Sequence, residues 1–397
     1  MARYPALRSL LNVLMGYPPF RWLLICTFAS SMARNSYAVA SAWILVASDG
    51  GSAAVATFVA IVSLTELLVS PIAGWLSDRF PRKVVFIVAE ILRTVGSLAL
   101  ISTNLPWMIC CSAVLFAACD RVALTASQAM IPSVGAHLKP DVSNSSSFFC
   151  MQVGGLIAAG LVGTVLHVFS ASAAFTMIAA AFLVSIICMG FVSGTHSRPR
   201  NIGGIPAQRL SVDAHLVHLA CIYALLYGGG TLVSILGAGL IFDEFGGSAL
   251  DFGQLESAWS VGSIIGAVLL IPAARYAKRS VLLIIVLLLV AILFGSLKVS
   301  PLLLALLTFA LLGSLYNLGR VAVEVTLQAA VPQSALGRAK GIFHCAGVSM
   351  GLAIFGAVSL SAGQLNPSTM FLLYGCLMLM ATGILVSFRP TVSPTER

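Results

Sequence analysis

Charge is what this chain has least of. Asp, Glu, Lys and Arg make up 9% of its 397 residues, against about 25% in an ordinary soluble domain. A composition that poor in charge excludes a water-solvated globule. Polar sequence long enough to build a separate soluble domain is missing as well, since the longest polar stretch covers only residues 193–213. The nine cysteines show neither zinc-ligand spacing nor the paired framework of a small secreted domain. Only Cys110 and Cys111 are adjacent, and all nine lie in apolar runs, so they read as small packing residues. No catalytic motif or metal cluster stands out, so neither an enzyme nor a cofactor is expected. The amino-terminal residues carry no cleavage signature behind a short apolar core, and the first apolar run is therefore expected to be retained.

What fills the chain instead is apolar sequence, 59% of all residues. Runs of membrane-spanning length follow one another from Phe20 to Phe388, each broken by a short polar or Gly/Pro-containing turn. They predict twelve helical spans: 20–47, 53–76, 83–103, 106–130, 144–168, 171–193, 214–241, 255–275, 281–298, 301–330, 341–361 and 369–388. The fold class is an all-α, multi-pass membrane protein with the lipid bilayer as its solvent. The net charge of +9 would suggest nucleic acid in a soluble protein, but its distribution says otherwise. Seventeen of the 22 Lys and Arg residues fall at one set of span ends, only Lys298 at the other, and four arginines lie inside spans. By the positive-inside rule both termini are expected on the cytoplasmic side, and no nucleic-acid binding is expected.

Residues 194–213 divide the chain into two sets of six spans, 1–193 and 214–397, and a weak repeat relates them. Arg121-Val122-Ala123 is followed by Gln128-Ala129 and Pro132; Arg320-Val321-Ala322 is followed by Gln328-Ala329 and Pro332. Both copies occupy the fourth span of their half, the sign of a parallel repeat of the kind transporters carry.

The turn between spans two and three reads Gly74-Trp75-Leu76-Ser77-Asp78-Arg79-Phe80-Pro81-Arg82-Lys83. Gly74 permits close helix approach at the membrane surface, and Asp78 is placed to pair with cations or a helix N-terminus. Arg79, Arg82 and Lys83 mark the basic side. This segment resembles the Gly-x-Leu-x-Asp-Arg-x-Gly-Arg-Arg/Lys signature of the major facilitator superfamily, with Pro81 in place of its usual glycine. The resemblance implies a transporter whose two six-helix bundles alternately open a central cavity lined by spans one, four, seven and ten. It also gives the loop, through Asp78, a gating role. Two further stretches are similar to bacterial siderophore and multidrug exporters, the enterobactin-exporter group among them. They are the lead-in Leu10-Leu11 to Tyr17-Pro18-Pro19-Phe20-Arg21 and the turn Ala335-Leu336-Gly337-Arg338-Ala339-Lys340-Gly341. The antiporter glycine pattern of span five is partial: Gly154, Gly155, Gly160 and Gly163 are present and its Gly-Pro is not.

Arg34, Arg93, Arg121 and Arg320 sit deep inside apolar runs, where a guanidinium costs a few kcal/mol or more and cannot shed its proton. At about 1.5 Å per residue, Arg34 lies roughly 18 Å from the basic end of its span. Arg93, Asp120, Arg121, Arg320 and Glu66 lie roughly 13–15 Å from theirs, near the midplane of a core about 30 Å thick. Glu90 and Arg93 are three apart and read as a structural ion pair. Arg320 and Glu324 are four apart on a cavity span. Asp120 and Arg121 are neighbours, point about 100° apart and cannot neutralise each other. Arg34 has no acid in its own span, and Glu66 is its expected partner, a bound anion being the alternative.

On the cavity spans Arg34, Arg121 and Arg320 face Asp120 and Glu324, which leaves one positive charge over. Arginine forks match carboxylates bidentately, so an anionic small-molecule substrate is expected, citrate- or hydroxamate-type siderophores fitting better than lipophilic cations. Asn35, Tyr37, Gln128, Tyr223, Tyr227, Tyr316 and Asn317 are candidates to complete the site, with interhelical packing as the competing role. Asp120, Glu66 and Glu324 are the candidates for proton coupling, while His167 and His344 read as structural. The function expected is proton-coupled siderophore export by a monomer in the bacterial cytoplasmic membrane. A multidrug antiporter, an organic-anion uptake permease and, from another class, a membrane enzyme or transport-dead receptor are the alternatives.

Overall fold

The computed structural model describes residues 17–102, 105–138, 140–193, 214–276, 279–331, 333–361 and 364–387. The linker 194–213 and the lead-in before Tyr17 lie outside them. Among the described residues there are twelve α-helices: α1 Pro18–Val46, α2 Gly51–Arg79, α3 Arg82–Leu100, α4 Pro106–Val134, α5 Pro140–Val168 and α6 Ala171–Gly190. The second six are α7 Ala214–Gly239, α8 Ala249–Tyr276, α9 Arg279–Ser296, α10 Leu302–Ala330, α11 Gln333–Leu360 and α12 Pro367–Ser387. Each corresponds to one predicted span, and nine have the length and apolarity to cross a bilayer on their own. Several outrun the apolar run that announced them, because a helix continues past the hydrocarbon edge as long as its polar turns remain helical. α11 begins at Gln333, where hydropathy alone starts the span at 341.

Local chemistry sets the ends. Prolines open α1 and α4 at the first helical positions, where their missing N–H costs nothing. Ser170 caps α6 by accepting from the Ala173 N–H at 3.2 Å. α7 ends in one π-helical turn, Leu240–Glu244, and Gly246 then takes a φ of +58° that favours glycine. A reciprocal cap starts α8: the Asp251 carboxylate accepts from the Ser248 N–H at 2.7 Å and from its hydroxyl at 2.8 Å. Asp251→Ala is expected to destabilise this turn by about 1 kcal/mol, read as faster hydrogen exchange at the first amides of α8.

The chain forms two compact units. Unit one comprises α1, α2 from Ile61 onward, α3 to α6, and Ser248–Ser257 at the start of α8. Unit two comprises Gly51–Ala60 at the start of α2, α7 through Gly247, α8 from Ala258, and α9 to α12. The division therefore departs from the expected 1–193 and 214–397 by exchanging the first turns of α2 and α8. Within unit one, a Cβ added to Gly163 would lie 2.8 Å from the Gly253 Cα, and one added to Gly253 would lie 2.7 Å from the Ala159 carbonyl. Within unit two, Ser52 donates to the Asp243 carboxylate at 3.5 Å.

Unit one centres on a cluster that includes Phe20, Leu23, Phe86, Ala123, Met130 and Met189. In unit two the tightest crossing joins α8 to α10. Gly262, Gly266 and Gly313 bring the backbones together, a small-residue interface of the kind that replaces hydrophobic burial inside a membrane.

Candidate functional site

In unit one, α1, α3 and α4 assemble a chain of charge. Arg93 is 1% exposed and bonds both Glu90, one turn back on α3, and Asp120 of α4, the latter at 2.7 Å. Ser30 of α1 donates to Glu90 at 2.7 Å. The Arg93 guanidinium also lies 4.6 Å from the centre of the Phe182 ring, within cation–π range. Asp120 uses its other oxygen for Arg34 of α1, at 3.5 Å. The expected Glu90–Arg93 pair is thus one link of a longer Glu90–Arg93–Asp120–Arg34 series. It also corrects the assignment of Glu66 to Arg34. Asp120 lies on the helix that packs beside Arg34 and takes the ion pair, while Glu66 remains within electrostatic reach of Arg34, Arg121 and Asp120.

Arg121 turns the other way, as the 100° offset requires. Its Nε donates to Ser70 of α2 at 2.8 Å, and Ser70 in turn donates to the Glu66 carbonyl at 2.6 Å. Pro71 follows directly and lies inside α2, where it can donate no backbone bond to the preceding turn. Beside Arg34 and Asp120 is a cavity of about 20 Å³, edged by Thr27, Ser30, Ser31 and Ser127 and by the apolar Phe86, Leu124 and Met151. That is room for one water-sized group. Arg34 keeps 32% of its side chain accessible.

Other candidates in this unit are engaged elsewhere. Tyr37 is 4% exposed, stacked on Phe116 at 3.7 Å, with its hydroxyl bonded to Ser112 at 2.7 Å. It holds α1 against α4. Asn35 donates to the Ser31 carbonyl at 2.7 Å and packs over Gly155. Gln128 is exposed. At the α2–α3 turn, Lys83 donates to the carbonyls of Gly190 and Val192 at 2.7 and 2.9 Å, and Arg82 to that of Ala129 at 2.6 Å. Arg79 lies over the Trp75 ring. The Asp78 side chain falls outside the described ones. Gly74 is not at a close helix contact: a Cβ added there would meet nothing within 4 Å.

In unit two, Arg320 lies on α10 between Tyr316 one turn before and Glu324 one turn after. It is exposed although about 15 Å from the end of its helix at Ala330. Tyr316, Tyr223, Tyr227 and Glu324 all lie within its electrostatic reach. Tyr223 and Tyr227 stand side by side on α7 with ring centres 6.0 Å apart. His344 of α11 meets Tyr227 edge-on at 6.2 Å, and Trp259 of α8 lies 5.4 Å from Tyr316. Asn317 packs against α8. It is 5% exposed and donates at 2.7 Å to the Ser263 carbonyl at the α8–α10 crossing.

A larger cavity of about 270 Å³ between α7 and α11, lined by Leu216, Val217, Cys221, Ile342 and Phe343, offers no charged group. Among the described residues no group of three or more His, Cys, Asp or Glu side chains could hold a metal. Sequence reasoning passed over Ser30, Ser70, Trp259 and Phe182, which carry no signal of their own. It also passed over Glu256, half-buried on α8 and inside the predicted span 255–275.

A family model described as Major Facilitator Superfamily matches residues 23–354. The chain belongs to the Major Facilitator Superfamily. It is accordingly a multi-pass membrane transporter and not an enzyme. Solved structures of this fold agree. The nucleoside transporter NupG superposes with a TM-score of 0.73 at 13% identity, covering 94% of this chain and 100% of that one. The inward-open xylose transporter XylE from E. coli gives 0.69 at 15% identity, covering 95% and 97%. The POT family transporter PepTSo gives 0.71 at 12%, covering 94% and 97%. At these identities the likeness concerns the superfamily fold alone. Comparison with curated proteins yields no match.

Proposed function

We propose that this superfamily member is a proton-coupled exporter of an organic anion, an anionic siderophore in the first instance, working by alternating access in the bacterial cytoplasmic membrane. The observation that carries the reading is Arg34. It is a mid-span guanidinium that keeps a third of its side chain accessible beside a water-sized cavity while sharing its one ion-paired carboxylate with Arg93. Arg121, which donates to Ser70, and Arg320, among three phenols and Glu324, add two further mid-span cations. An oxyanion would complete such a coordination. Among the carboxylates, Glu66 makes no side-chain hydrogen bond or ion pair among the described residues, yet it lies in the field of Arg34 and Arg121. It therefore joins Asp120 and Glu324 as a carrier of the coupling proton. Uptake of an organic anion is the same site chemistry run in the opposite direction.

The test is a deletion strain complemented with wild type, Arg34→Ala or Arg121→Ala and grown under iron starvation, with secreted and retained metabolites compared. Secretion of an acidic iron chelator is expected to fall at least about tenfold in the deletion and in each variant, as loss of a charge-assisted contact of about 1.5–3 kcal/mol implies. Unchanged secretion of every chelator in the deletion sinks the siderophore reading. Full transport by both variants, inserted at wild-type levels, sinks the anion site.

A further inference from the structure

The surroundings of Arg320 differ from those of Arg34 in a way that bears on what the substrate looks like. Arg34 is met by a carboxylate and serines. Arg320 is met by three phenols and one carboxylate, Glu324. The aromatic rings come from three helices and stand in two pairs, Tyr223 with Tyr227 and Trp259 with Tyr316. All four rings are half-buried and keep accessible surface.

The backbone is cut away to seat them. A Cβ added to Gly230 of α7 would come within 2.8 Å of the Tyr316 ring, and one added to Gly347 of α11 would lie 2.8 Å from Tyr227 and 3.0 Å from Tyr223. Helical glycine costs about 1 kcal/mol relative to alanine, so these notches are a feature maintained against propensity.

We infer that unit two recognises a planar aromatic ring bearing an acidic group, the acid on Arg320 and the ring among Tyr223, Tyr227, Tyr316 and Trp259. An aliphatic polyacid uses the guanidinium and makes no π contact with the rings. A lipophilic aromatic cation uses the rings and is repelled by the guanidinium. An aromatic acid uses both, with offset or edge-on ring contacts and a bidentate carboxylate. The phenol hydroxyls add donors and acceptors for ring substituents. This rests on the reading above, that the chain carries an organic anion, and narrows its substrate class.

The test is calorimetric titration of the purified full chain in lipid nanodiscs with three probes. These are 2-hydroxybenzoate, cyclohexanecarboxylate, which keeps the carboxylate and loses the π face, and benzyl alcohol, which keeps the ring and loses the acid. Wild type is expected to bind 2-hydroxybenzoate at least about fivefold more tightly than cyclohexanecarboxylate. Tyr227→Leu and Tyr316→Leu are expected to erase that ratio without weakening cyclohexanecarboxylate. Arg320→Gln should weaken both acids and leave benzyl alcohol unchanged. The wild-type ratio decides even where a variant fails to fold. Equal binding of the two acids, no binding of 2-hydroxybenzoate at millimolar concentration, or equal weakening of both acids by the leucine variants overturns the inference.

Flux in proteoliposomes separates this inference from the reading it rests on. If both acids bind equally and both cross under a proton gradient, anion transport stands and ring recognition falls. If the aromatic preference is found and neither acid crosses, the site assignment holds and anion transport falls.

Discussion

Replacing Arg93 by leucine lowers the melting temperature of the purified protein by roughly 10 °C. Arg93 is fully buried between Glu90 and Asp120 and lies over the Phe182 ring. Deleting it leaves Glu90, itself 0% exposed, with Ser30 as its remaining polar contact. Removing one partner of a buried ion pair costs about 3–5 kcal/mol, because the remaining charge keeps its desolvation penalty. For a bundle of this size each kcal/mol is worth about 2–4 °C. The buried thiols of Cys26, Cys119 and Cys188 provide the readout, since they become reactive to a fluorogenic dye when the bundle opens. Adding Glu90→Gln to Arg93→Leu removes the stranded charge and leaves Arg34 with Asp120, so the double variant should recover part of the loss. An Arg93→Leu protein that melts with wild type would show that the series of charges is not integral to unit one.

Gly262→Ala and Gly266→Ala are expected to be damaging out of proportion to one methyl group. A Cβ at Gly262 would stand 1.7 Å from the Ala310 carbonyl oxygen, and one at Gly266 would stand 2.0 Å from that of Ser314. Both obstacles are backbone, which cannot rotate away, so α8 and α10 must part. The crossing would lose the Ser263–Gly313 and Asn317–Ser263 hydrogen bonds, at 3.3 and 2.7 Å. Each substitution should cost about 3 kcal/mol, the upper end for overpacking, and the pair should abolish the folded, monodisperse protein on size exclusion. Gly356→Ala is the control. An added Cβ there meets nothing within 4 Å, and helix propensity predicts a gain of about 1 kcal/mol. Equal behaviour of Gly356→Ala and Gly262→Ala would remove the close crossing from the account. Because Asn317 and Tyr316 are adjacent on α10, the same shift should disturb the aromatic surroundings of Arg320.

These outcomes mark where sequence reading succeeded and where it stopped. The twelve helices were legible because a membrane leaves the backbone few choices. An apolar run of about 20 residues has to satisfy its own N–H and C=O groups and therefore coils. The face shared by Glu90 and Arg93 was legible too, since the rotation per residue is fixed. The partner of Arg34 was not. Glu66 and Asp120 come out at similar depth, and only the rotation and crossing of α1, α2 and α4 decide which reaches it. The partners of Tyr37 and Asn317 were hidden for the same reason: each lies on the predicted helix but faces its neighbour.

The sequence by itself determined the solvent of this protein and its twelve helices. Each of those follows from composition, period and rise along a single helix. Only the tertiary structure decided that Arg93 is buried between two carboxylates and that Arg121 turns to Ser70. It also decided that Arg320 stands among phenols and that three glycines clamp α8 to α10. Those are contacts between helices distant in the chain, set by how side chains interlock at each crossing, and nothing in the spacing along one helix specifies them.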